Sequence, residues 1–148
     1  MPTKVEFNTA KKTSRAGFTL LELLVVISII GILLAVGAVA FTTAQKKGRD
    51  GRRRADIKAL QNAFEQYHAQ HGRYDTCSTM AADTISGGLS AVVDPKTKAG
   101  YSCSVSGAND KYCVCAELET GGGNATDAGS NGVCSFGDGD YFCARNLQ

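Results

Sequence analysis

Phe18-Thr19-Leu20-Leu21-Glu22-Leu23-Leu24-Val25-Val26-Ile27-Ser28-Ile29-Ile30 opens the run 18–41, FTLLELLVVISIIGILLAVGAVAF, whose reading decides that of the whole chain. One charged side chain, Glu22, interrupts it. As a helix it extends roughly 36 Å, enough to cross a bilayer core of about 30 Å. A buried core helix of that length is foreign to a 148-residue protein. The run is therefore read as membrane-spanning. A secretory signal has a basic region, a shorter apolar run and a cut on the far side. Ala38-Val39-Ala40 mimics such a cut site, so a plain signal or signal anchor stays open on spacing alone. The flanks disagree about topology. Lys4, Lys11, Lys12 and Arg15 precede the run, but Lys46, Lys47, Arg49, Arg52, Arg53 and Arg54 follow it. Counting bases slightly favours keeping the second half inside.

Downstream, the pattern stays helical. Ile57, Leu60, Phe64, Tyr67 and His71 recur at three- and four-residue spacing and mark one face. That stripe is assigned to packing beneath a sheet. Ala55, Ala59 and Ala63 favour helix, and Gly48 and Gly51 weaken the join by about 1 kcal/mol each. One helix over 18–72 is expected, with a soft point at 48–51 and a stop at Gly72. Beyond Asp75 the texture changes. Residues 80–93 read as a short helix or ordered loop, and Asp94-Pro95 as a turn. Strands are expected at 101–105, 111–118 and 140–144, with a Gly/Asn/Asp/Ser-rich loop over 121–132.

Charge is distributed unevenly. Residues 46–73 carry eight bases and three acids, and residues 75–148 carry four bases and nine acids. A subunit so polarised can attract its own copies. All six cysteines, Cys77, Cys103, Cys113, Cys115, Cys134 and Cys143, lie in the acidic part. A small polar domain has little core, and disulfides are the usual remedy in oxidising compartments. They outweigh the base count and place residues 74–148 outside. Cys113-Val114-Cys115 has one intervening residue, against the usual zinc spacing. On one strand these two cysteines share a face and do not bond each other. If the strand near Tyr141 lies antiparallel beside them, bridges 113–143 and 115–134 follow, with Cys77 left for Cys103. A local 134–143 bridge competes.

Glu22 is the most informative residue. A carboxylate in apolar surroundings costs several kcal/mol unless neutralised or paired. The plain reading is an acid near the membrane surface, favoured by a helix N-terminus. The sharper one notes that a cut between Gly17 and Phe18 creates an amine one helical turn before Glu22. The amine of one copy then meets Glu22 of the next, and the charge is buried only when copies stack. Arg15-Ala16-Gly17 followed by Phe18-Thr19-Leu20-Leu21-Glu22-Leu23 resembles the signal of type IV prepilins and type II secretion pseudopilins. The resemblance covers residues 11–75. It implies cleavage after Gly17 by a prepilin peptidase, N-methylation of Phe18, and pairing of Glu22 with a neighbour's terminus. It also implies an α+β lollipop fold, a long N-terminal helix packed on a small antiparallel sheet. Many members have proline where this chain has Val39, and a 134–143 bridge would resemble their C-terminal disulfide loop.

The implied parts are a leader, 1–17, a polymerisation helix, 18–45, an amphipathic continuation, 46–73, and a disulfide-rich head, 74–148. The role they imply is a filament subunit that polymerises with itself. It would sit in the membrane, head outside, before an assembly platform moves it into an extracellular filament. A pseudopilin of a secretion or competence machine is the related alternative. A signal-anchored binding domain that never polymerises is the alternative of another class. No hydrolase, phosphate-loop or redox motif supports an enzyme, and His68 and His71 lack a nucleophile set. No cofactor is required. Asp138 and Asp140, with Asp127, are weak calcium candidates, because major pseudopilins use calcium near their C-terminus. Arg52-Arg53-Arg54 reads first as a solvated face, then as a contact with another copy's acidic head. Nucleic acid ranks last, since the outer part is acidic. Asn124-Ala125-Thr126 fits a glycan sequon.

Overall fold

The computed structural model describes residues 17–148, which form two units dividing between Val39 and Ala40. Leader residues 1–16, including the bases Lys4, Lys11, Lys12 and Arg15, lie outside the described residues. One helix, α1, Leu20–His71, contributes to both units and is unbroken at Gly48 and Gly51. It starts two residues later than expected because Thr19 caps it. The Thr19 hydroxyl accepts the Glu22 N–H at 3.2 Å, and its carbonyl accepts that of Leu23. Gly72 ends it in the left-handed region, φ +69°, donating to the His68 carbonyl at 2.8 Å.

In the first unit every helical side chain is exposed. A helix apolar on all sides is stable in lipid or against other apolar helices, not in water. The second unit holds the rest of α1, a short helix α2, Cys77–Thr84, a 3₁₀ turn, Gly88–Ala91, and three strands. These are β1, Ser102–Val105, β2, Tyr112–Glu117, and β3, Tyr141–Arg145, in the order β1-β2-β3 with both pairs antiparallel. Thr76 caps α2 through its side chain, which accepts the Thr79 N–H. Asp94 makes the turn before β1, its Oδ1 accepting the Lys96 and Thr97 N–H groups at 2.8 and 2.7 Å.

Strand β2 is buried on both faces. Tyr112, Val114 and Ala116 meet Ile57, Leu60, Phe64 and Tyr67 of α1, together with Tyr74, Met80 and Tyr101. His71 is a correction to the stripe: it is exposed and stacks flat on Tyr67, ring centres 4.0 Å apart. Cys113 and Cys115 face the other way into a second core with Ala125, Cys134 and Cys143. The loop between β2 and β3 covers that core. It pairs with the free edge of β3: Asn124 and Ala125 donate to the Tyr141 carbonyl, and the Asn124 side chain bonds both Cys143 N–H and C=O. The sequon asparagine is thus engaged in the fold through its amide nitrogen.

The bridges are Cys77–Cys103, Cys113–Cys134 and Cys115–Cys143. The first is as expected. The pairings 113–143 and 115–134 are overturned, as is 134–143. Register decides the matter: Cys115 lies directly opposite Cys143, whereas Cys113 lies opposite Arg145 and must reach into the loop for Cys134. Cys113 and Cys115 share a face without bonding, their sulfurs 3.4 Å apart.

Gly129 lets the loop close over this core. Its φ is +68°, and a Cβ there would stand 2.6 Å from the Cys113 sulfur. Gly129→Ala should destabilise the head by more than about 1 kcal/mol, read as a lowered denaturant midpoint.

Candidate assembly surface

The segment that would be processed is open. Gly17, Phe18 and Thr19 precede the helix without regular structure, and Phe18 is 84% exposed. Glu22 sits in the first turn, exposed, and its carboxylate has no ion-pair partner among the described residues. Sequence reasoning missed Thr19. The signal was present, since Thr-x-x-Glu ahead of an apolar run is the capping-box pattern. The Glu22 backbone is tied to Thr19 while its charge is left outward. From Leu20 to Phe41 the apolar side chains form one exposed surface.

The basic segment that follows behaves differently from its sequence reading. Arg53 is 3% exposed, not solvated. It donates to Asp94, to Asp50 at 2.7 Å and to Glu119 at 3.0 Å. Arg49 clasps Glu119 with two bonds of 2.6 and 2.8 Å, and Lys96 adds a third contact. Asp50, also 3% exposed, accepts from the Glu119 and Thr120 N–H groups and the Thr120 hydroxyl. Arg54 donates to the Gly122 carbonyl and lies over the Phe142 ring. Arg52 alone fits the solvated reading, 71% exposed and paired with Asp56 one turn on. Much of the charge polarity in the sequence is therefore neutralised inside one chain. α1, the Asp94 turn and the residues after β2 are joined by a single ion cluster.

The cluster sets its own protonation. Hydrogen bonding from Arg53 holds Asp94 well below the usual carboxylate range, and Arg49 does the same for Glu119. Burial raises Asp50, but its bonds from Thr120, Glu119 and Arg53 outweigh burial and leave it lowered. Arg53 is pushed upward, chiefly by Asp94.

The sulfurs of Cys113, Cys115, Cys134 and Cys143 lie within 4.8 Å of one another, the one metal-like grouping among the described residues. All four are in disulfides and offer no thiolate. Asp138 and Asp140 are exposed, and among the described residues no third carboxylate, histidine or cysteine joins them.

The open, capped helix start and the lone acid coincide with a known pattern. Residues 12–38 match the family described as the prokaryotic N-terminal methylation motif. The chain carries a prepilin-type signal. Around this signal the architecture is pilin-like α+β, one long N-terminal helix with a small antiparallel sheet. The chain is 35% identical over 89 residues to type II secretion system core protein G of Aeromonas hydrophila, covering 60% of this chain and 57% of that protein. It is 36% identical over 58 residues to the type IV major pilin protein PilA of Myxococcus xanthus, covering 39% and 26%. It is 37% identical over 62 residues to competence protein ComGC of Halalkalibacterium halodurans, covering 42% and 61%. The chain thus spans between 26% and 61% of the length of these relatives. No solved structure matches it.

Two outcomes follow for the ion cluster. Arg53→Ala leaves buried carboxylates without their cation and should cost about 3–5 kcal/mol in denaturant unfolding. Because Asp50, Asp94 and Glu119 are all lowered on folding, their stabilisation is complete above the ordinary carboxylate range of about pH 4 to 4.5. It is lost as pH falls from there through the lowered values. Thermal melts from pH 7 to 2 should show the midpoint dropping in that acid window.

Proposed function

We propose that this chain is a prepilin, cut between Gly17 and Phe18, whose processed form polymerises through residues 18–45 into a type IV pilus-like filament. The carrying observation is the Glu22 carboxylate, without an ion-pair partner among the described residues, in the first turn of an exposed segment, 20–41, that carries no other charge. Such a surface is satisfied by lipid while the subunit waits and by neighbouring helices once it assembles. Among apolar helices Glu22 needs a cation, and the new amine of Phe18 on an adjoining copy supplies one. The head then stays outside, where disulfides persist. The role is structural rather than catalytic. The partners are further copies of itself, the prepilin peptidase and the assembly platform.

The resemblance to a secretion core protein over 89 residues favours a second reading, a pseudopilin forming a short filament inside the envelope. Imaging separates the two. Abundant surface fibres built of this chain support the pilus, and their absence with intact processing supports the pseudopilin.

Mass spectrometry of protein recovered from membranes should find Phe18 as the first residue, one methyl group heavier than unmodified. A chain beginning at Met1, or near Phe41, defeats the proposal. Glu22→Ala should process normally, yet lower filament yield by at least about tenfold, since an unpaired buried amine costs several kcal/mol. Normal filaments from that variant would rule out the pairing.

A further inference from the structure

Six bases, Lys46, Lys47, Arg49, Arg52, Arg53 and Arg54, follow the apolar helix, on the side where base counting disfavours export. Folding finds partners for four of them. Arg49 and Arg53 are held by carboxylates, Arg52 pairs with Asp56 one turn on, and Arg54 is held by a backbone carbonyl and an aromatic face. Lys46 and Lys47 are exposed and have no ion-pair partner among the described residues. Lys46 shares a surface hollow with Asp94 and Glu119. The oxygens of those acids are already taken by Arg53, Arg49 and Lys96. Two adjacent cations are therefore left unmatched among the described residues, one turn before the first buried residue of α1, Asp50.

Their position along the chain points to an occupant. Residues 18–45 carry no charge besides Glu22. As helix they measure about 42 Å, close to the 40–45 Å of a bilayer with its headgroup layers. With Phe18 at one interface, Lys46 and Lys47 stand in the opposite headgroup layer. Acids of a second copy are the competing occupant. Continuity with the membrane span favours lipid, because the span holds these cations at phosphate depth whenever the subunit is in the bilayer.

We infer that Lys46 and Lys47 form a contact site for anionic phospholipid headgroups, gripping the membrane-held subunit before assembly. A headgroup phosphate needs accessible positive charge not already neutralised by the protein, and these two ammonium groups supply it. The inference rests on residues 18–45 being membrane-spanning and goes beyond polymerisation.

The test uses the full chain in nanodiscs of phosphatidylcholine with one-fifth phosphatidylglycerol. The readout is the ratio of the two lipids that remain bound after mild delipidation, by native mass spectrometry. Wild type should retain phosphatidylglycerol well above its bulk share. Lys46→Gln with Lys47→Gln should lower that preference by about fivefold or more, while Lys46→Arg with Lys47→Arg keeps it. Lys58→Gln, an exposed base away from the helix–membrane junction, should leave it unchanged. Bases of the leader are common to all variants and cancel in the comparison. Equal preference in wild type and the double Gln variant overturns the inference and leaves the acids of a second copy as the match for these lysines. An equal loss from Lys58→Gln overturns it too, as general charge attraction. A chain that fails to insert overturns the membrane-spanning reading along with it.

Discussion

From Tyr112 to Ala116 the backbone runs with both faces out of water, and the head is organised by what covers each face. Tyr112, Val114 and Ala116 close on the α1 stripe, where Phe64 meets Tyr112 edge-on with ring centres 5.2 Å apart. Glu65, on the same helix, accepts the hydroxyls of Tyr112 and Tyr74, and Asp56 accepts that of Tyr101. The opposite face has no helix. Cystines and a glycine-rich loop take its place and cover that face. That division explains why a head of this size has two cores and why three bridges accompany them.

The ion cluster around Arg53 solves a different problem. Segments far apart in sequence must be held against α1 where the apolar stripe has run out. Asp50 and Arg53 reach out from the helix, Asp94 comes from the turn before β1, and Glu119 and Thr120 follow β2. Each carboxylate accepts several donors, and Arg53 touches three acids. A buried charge with this many partners positions chain segments more than it adds net stability. It also removes bases that would otherwise be available to other copies, leaving Lys46, Lys47 and Arg52 as the outward-facing ones of that run.

The N-terminal half of α1 is governed by an opposite demand. Among the described residues nothing in the first unit covers it, and an apolar surface of that extent requires lipid or other helices. The Thr19 hydroxyl satisfies a backbone donor of the helix start, so the Glu22 carboxylate is not needed there.

Much of this was legible from residue order. The apolar run, the Gly17-Phe18 junction with Glu22 one turn later, the stripe Ile57-Leu60-Phe64-Tyr67, the Gly72 stop and all three strands depend on local periodicity and single-residue chemistry. These act over a few positions and are written directly in the chain. The Cys77–Cys103 bridge came by elimination. The other bridges were misassigned because they depend on register, and a shift of two residues along β3 exchanges one partner for another. The arginines were misread for a related reason. Asp94 and Glu119, which hold Arg53 and Arg49, lie 41 to 70 positions away, so a base run reads as solvated until folding brings those acids alongside. Local pattern determined where the helix and strands are and that one acid stands alone in the apolar run. Only tertiary structure decided which cysteines meet and which charges are already neutralised, because those outcomes depend on distances that sequence separation does not encode.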